Sequence, residues 1–333
     1  MGWNWLTSVR LYLPSLPSSK GYDPFSGGKV NLAGACVRRG DTLFAEGHYD
    51  GAIAAYTEAI QFQDCNLAIK YKPALDRVLA FALNNRSCAF LEKAEYDFAI
   101  QDCNLAIKYK PDLALAFCNS GSAFLGKGDC ERAIQDYNQA LRLKPDLALA
   151  LNNRGIAFLL KGNLGRAVQD YDRAVDLQPD LAMAFRNRGI AAFCDRRFPH
   201  AKKDCAEAVR LDPKDGHNLI WLYLASARDG KADKAQLEGQ VTGLDLRKWP
   251  GPAVEFLLGS LTLEALLATS HHENLYKERE QRCAAHFFIG QRELLNGRLL
   301  EAANSFREVI ASGAMNCLEY QAAEAELQDL NAE

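Results

Sequence analysis

The sequence carries no excess of basic residues: 39 Lys and Arg stand against 42 Asp and Glu in 333 residues, a formal charge of −3. A nucleic-acid binder normally shows a clear basic surplus, so that class is set aside. No stretch reaches the roughly 18 unbroken apolar residues that would span a bilayer. Ten cysteines are present, yet none forms a CxxC pair or a metal-ligand cluster. Their scatter through helical packing positions fits small buried hydrophobes in a reducing compartment. No P-loop, Rossmann glycine pattern or G-x-S-x-G elbow occurs. His271-His272-Glu273 is the one compact ligand-like cluster, and it lacks the i, i+4 histidine of a zinc helix. It reads as a loop following a helix. Cys194 and Cys205 have no histidine placed by sequence to activate them, and His200 sits at a helix start. The expectation is a protein with no catalytic residue, no metal and no cofactor.

What is abundant is self-similarity. The string QDCNLAIKYKP occurs twice, ending at Pro73 and Pro111, and related strings end at Pro145, Pro179 and Pro213. From Pro111 onward the prolines stand 34 residues apart. Small residues keep the same phase: Gly121, Gly155 and Gly189, then Ala99, Ala133, Ala167 and Ala201, then Ala106, Ala140, Ala174 and Ala208. Such residues let paired helices approach within about 8–10 Å, and each proline ends the second helix of a pair. The pattern resembles the tetratricopeptide repeat (TPR) over about residues 33–213. The resemblance implies an all-α superhelical solenoid, first helices lining an inner groove and second helices outside. Helices of about 13 residues are marginal alone, so stability must come from stacking.

The spacing divides the chain into an irregular arm over 1–30, five repeat units over 31–213, and degenerate repeat-like helices over 214–333. This last part holds a further unit at 283–316 and a capping helix. The next unit after the first starts late, and the interval at about 61–75 holds the first copy of the duplicated string. A helix is expected to begin near Asp50 and run on toward Tyr71, beyond the stack. The final segment, 318–333, carries five acids and no base, as a polar helix covering the open end of a solenoid would.

The C-terminal third, through Ile220-Trp221-Leu222-Tyr223-Leu224-Ala225, Val254-Glu255-Phe256-Leu257-Leu258-Gly259 and Phe287-Phe288-Ile289-Gly290, resembles the NlpI-like bacterial TPR lipoproteins. That resemblance implies a dimeric adaptor bringing envelope proteases and peptidoglycan hydrolases to their substrates. The run Leu32–Cys36 differs from a lipoprotein box by one place, and the first 20 residues are broken by Pro14 and Pro17. A cytoplasmic location is therefore expected, with the periplasm or cell envelope as the alternative.

Asn85, Asn119, Asn153 and Asn187 form a row in register on the first helices. An amide offers donors and an acceptor, so each could grip one peptide unit of an extended ligand. The row is similar to the asparagine ladder of O-linked N-acetylglucosamine transferases. The bland alternative is an amide bonding to the neighbouring helix. Asn84, Asn152 and Arg186 lie beside the row, and Leu125, Leu159 and Phe193 form an apolar stripe. The groove so drawn has little positive charge, which favours an apolar extended or helical protein segment over an acidic C-terminal tail. The expected function is a non-enzymatic scaffold, with a homodimer possible. A second hypothesis is self-association, with the groove filled by Trp3, Trp5, Leu11 and Leu13 of the arm. On the paired helices, Arg86, Arg154 and Arg188 stand 16 residues before Asp102, Asp170 and Asp204, as intra-repeat ion pairs would.

Overall fold

Helical hairpins form here because each segment alternates a small-residue face with large side chains at helical spacing, and because each turn reverses through one left-handed residue. Those residues are Ala94, Gly128, Gly162 and Arg196, at φ +55°, +82°, +70° and +59°, in the same 34-residue phase. The computed structural model describes residues 28–64, 72–230, 234–241 and 243–330. Among them the structure is α-helical, with one 3-10 turn and no strand. The chain divides into two compact units at Pro145. That boundary falls inside the periodic array and not at its end.

The first unit contains α1 (Gly28–Ala45) and α2 (Tyr49–Ile60), a 3-10 turn over Gln61–Asp64, α3 (Lys72–Glu92) and α4 (Tyr96–Tyr109), then α5 (Ala114–Gly126) and α6 (Cys130–Leu143). The expected continuation of the second helix toward Tyr71 does not occur: α2 stops at Ile60. Ile60 and Phe62 turn in against the core formed by Val37, Tyr56, Leu75 and Leu79, which ends the helix on the stack and not beyond it. Residues 65–71 and the arm up to residue 27, with Trp3, Trp5, Leu11 and Leu13, lie outside the described residues.

The second unit holds α7 (Ala148–Leu160) and α8 (Leu164–Leu177), α9 (Ala182–Cys194) and α10 (Phe198–Leu211), and α11 (Gly216–Arg228) with the short α12 (Lys234–Gln240). It continues with α13 (Gly251–Leu258), α14 (Leu263–Thr269), the hairpin α15 (Leu275–Leu295) and α16 (Leu299–Ala311), and α17 (Leu318–Leu330). Within hairpins the helices close on the phased glycines. A Cβ at Gly155 would lie 2.6 Å from the Tyr171 ring, and one at Gly121 2.8 Å from Tyr137. In the preceding repeat the same position is Ser87, and the opposing residue shrinks to Cys103. The α11, α15 and α16 helices are joined to the array by aromatic contacts. Trp221 meets Phe193 and Phe287 at centroid distances of 5.5 Å, and Phe287 meets Phe306 at 5.9 Å. The expected ion pairs form as bidentate bridges. Arg86 donates to Asp102 at 2.7 and 2.6 Å, Arg154 to Asp170 at 2.8 and 2.7 Å, and Arg188 to Asp204 at 2.7 and 2.8 Å.

Candidate functional site

The amide row does not face solvent. Asn84, Asn85, Asn119, Asn152, Asn153, Asn187 and Arg186 are all buried, as are Leu125, Leu159 and Phe193. In the first unit, Asn119 Nδ2 donates to Asn84 Oδ1 at 3.0 Å and contacts Ser87 Oγ and Cys88 Sγ. Asn84 donates to Asn85 at 3.1 Å, and Asn85 to Asp41 at 3.0 Å, where the Tyr56 hydroxyl also ends. In the second unit, Asn187 Nδ2 donates to Asn152 Oδ1 at 2.9 Å, and Asn152 to Asn153 Oδ1 at 2.9 Å. Within each unit, Asn85, Asn119 and Asn187 are thus bonded to a neighbouring first helix. A buried amide must find protein partners, and Asn84 and Asn152, one place before Asn85 and Asn153, supply them.

The remaining expected groove residues have packing roles as well. Arg186 donates to Asp215 at 2.5 Å and to Asn218 at 3.1 Å, tying α9 to the start of α11. Burial opposes the Asp215 carboxylate, but the neighbouring Arg186 and His217 hold it well below the usual range. Phe193 is 1% exposed and lies against Trp221 and Phe198. Burial pushes the Cys88, Cys118 and Cys194 thiols up to about 12, which leaves them as packing groups at neutral pH. His271 and His272 sit in the loop before α15. There His271 meets Glu278 at 2.9 Å, and the His272 ring accepts from the Asn274 N–H. Among the described residues no three His, Cys, Asp or Glu side chains come together as metal ligands.

A different constellation forms on the second unit. The C-terminal helix α17 lies against the first helices α7 and α9, as well as against α15 and α16. Its face is Glu319, Ala322, Ala323 and Glu326, all buried, at helical spacings of three, four and seven. Glu326 is 1% exposed, and its carboxylate accepts from Arg196 at 2.7 Å, from Gln291 at 2.8 Å and from Arg228. These donors come from the α9–α10 turn, from α15 and from the end of α11. Burial works against the charge, but the Arg228, Gln291 and Arg196 contacts together hold the carboxyl below its usual value. Arg196 also meets Asp329. At the other end Glu319 Oε2 has no donor, and burial pushes that carboxyl up to about 7, with Arg186 the nearby counter-charge. Two acids of the final helix thus point inward, Glu326 toward Arg196 and Arg228 and Glu319 toward Arg186. Positive charge enters through Arg196 and Arg228, which lie 130 and 98 residues from Glu326. One signal was available: Arg196 occupies the phase held by Ala94, Gly128 and Gly162.

The tetratricopeptide-repeat family model matches residues 33–64, 118–182 and 161–216. The chain carries tetratricopeptide repeats. It is 31% identical over 123 residues to the lipoprotein NlpI homolog of Haemophilus influenzae, a match covering 36% of this chain and 39% of that protein. The match thus spans about two fifths of the relative's length. Among solved structures, the TPR protein TTC0263 of Thermus thermophilus is 20% identical, covering 58% of this chain and 98% of its own at a TM-score of 0.49. A TPR protein of Parabacteroides merdae is 14% identical, covering 91% of this chain and 100% of its own, also at 0.49. The repeat is in general an architecture for holding other proteins and not for chemistry. Among the described residues no helix is long and apolar enough to cross a membrane.

Proposed function

We propose that this chain is a non-catalytic interaction scaffold that receives a helical segment of a partner protein on the first helices of its second unit. One observation carries the reading: a helix, α17, is already seated on α7 and α9. That surface accommodates an amphipathic helix whose buried face includes the small residues Ala322 and Ala323. Six of the ten expected groove residues serve this role indirectly. These six, Asn152, Asn153, Leu159, Arg186, Asn187 and Phe193, lie on α7 and α9, the helices that form the surface. Self-occupancy by the C-terminal helix stands beside that by the N-terminal arm, which lies outside the described residues. Similarity to a lipoprotein over two fifths of its length supports an envelope location over a cytoplasmic one, which fractionation of the native host tests. For the scaffold itself, the tagged full-length chain is purified from that host as wild type and as Arg228→Gln. A co-purifying protein whose yield changes with the variant supports the assignment. Equal recovery on both overturns it.

A further inference from the structure

The α17 surface has three properties that a permanent end cap does not need. The first is a conformational cost. Arg196 is held at φ +59°, a left-handed backbone that an L side chain adopts at about 1–2 kcal/mol. Two of its three counterparts in the earlier turns are glycine, Gly128 and Gly162. The cost is borne where the guanidinium reaches Glu326 and Asp329. The second is convergence. Three donors from three separate elements meet on one carboxylate of a single helical turn. A planar guanidinium is suited to reading a carboxylate, and two of them on one acid make a receptor more than a filler. The third is imperfection. At the opposite end of the same face, Glu319 Oε2 is buried with no donor, while the nearby Arg186 is engaged by Asp215 and Asn218. A buried carboxylate oxygen without a donor is destabilising, so α17 is held firmly at one end and poorly at the other.

We infer that α17 is an internal stand-in for the partner. The surface recognises an acidic amphipathic helix through Arg196 and Arg228, and such a helix from another protein gains access by displacing α17. This rests on the scaffold reading above and adds to it the chemistry of the ligand and the means of its control. The recognition element is a helix whose carboxylate falls between the two arginines, with small residues one turn before it, as Ala322 and Ala323 stand before Glu326. Seven helical residues span about 10.5 Å, which is the separation along the axis of the Glu319 and Glu326 positions. A partner with an uncharged residue at the Glu319 position escapes the buried unpaired oxygen and so outcompetes the resident helix in intrinsic affinity. The resident helix compensates by tethering. An attached segment acts at an effective concentration of about millimolar, so the surface is closed to weak ligands and open to strong ones.

The test uses the full-length chain as wild type and as Glu326→Gln. The probe is a fluorescent synthetic peptide with the sequence of residues 316–333 and Cys317→Ser. Hydrogen exchange follows the amides of α17, and anisotropy follows peptide binding. The expected result is exchange at least about tenfold faster over 318–330 in the variant, and peptide affinity at least about tenfold above that for wild type. The gained affinity is expected to vanish when Arg228→Gln is added, or when the peptide itself carries Glu326→Gln. Equal protection of α17 in both chains overturns displacement and leaves the scaffold assignment to its own co-purification test. Release of α17 with peptide bound equally well in the presence and absence of Arg228 overturns acid recognition. Should Glu326→Gln lose its helical signal, Ala323→Leu replaces it, since overpacking that fully buried position loosens α17 and leaves Arg196 and Arg228 for the peptide.

Discussion

Replacing Asn119 with Ala separates an amide that holds repeats together from one that waits for a ligand. The Asn119 amide donates to Asn84 Oδ1 at 3.0 Å in a buried site, with Ser87 and Cys88 as further neighbours. Truncation removes one net hydrogen bond, about 1 kcal/mol, and leaves Asn84 Oδ1 without a donor, about 1–3 kcal/mol more. A loss of about 3 kcal/mol follows. Asn187→Ala makes the internal comparison. It strips Asn152 Oδ1 of its donor in the same way, but it also removes Asn187 Oδ1, an acceptor already buried with no partner. The second effect offsets part of the first, so the expected loss is only about 1 kcal/mol. Native-state hydrogen exchange reads each variant in its own unit: α3 and α5 for Asn119, α7 and α9 for Asn187. An Asn119→Ala chain whose protection stays within about 0.5 kcal/mol of wild type would refute the argument and return the row to a ligand-facing role.

Gly155→Ala places a methyl 2.6 Å from the Tyr171 ring and is expected to destabilise α7 and α8 by about 1–3 kcal/mol in urea unfolding. By contrast Gly162→Ala meets no atom within 4 Å and bears only the left-handed backbone cost, about 1 kcal/mol. Phe193→Ala empties a site against Trp221, with an expected loss of about 3–5 kcal/mol and a red shift of tryptophan emission; an unshifted spectrum would place Trp221 elsewhere. Burial, with the Glu319 carboxyl beside it, pushes Glu280 up to about 8, against the Asn316 amide and the charges of Arg279 and Lys277. The unfolded chain ionises this acid first. Stability contributed by the protonated form is therefore complete below the ordinary glutamate range and is lost as pH rises from there to about 8. Glu280→Gln should flatten that slope and gain stability at pH 8, on the order of a few kcal/mol; an unchanged pH profile would show that Glu280 is not the titrating group.

The repeat pattern made the hairpins legible because local rules govern them. A glycine facing a tyrosine, a left-handed turn residue and a proline after the second helix act within one repeat, so their 34-residue phase is visible along the chain. The arginine–aspartate pairs were readable for the same reason, lying 16 residues apart on paired helices. The direction of the asparagine row was not. Periodicity places Asn119 and Asn187 on a face of their helices, but it does not say whether that face is open.

Whether the face is open was decided by tertiary structure. The first helices interlock through Asn84 and Asn152, and α17 covers α7 and α9 in the second unit. Glu326 meets Arg196 across 130 residues, and no local propensity encodes an encounter at that separation. The sequence by itself determined that short helices pair and stack, since the needed contacts are neighbours in the chain. Only the folded molecule decided which surface is left for a partner, because a surface is defined by what returns from far away to cover it.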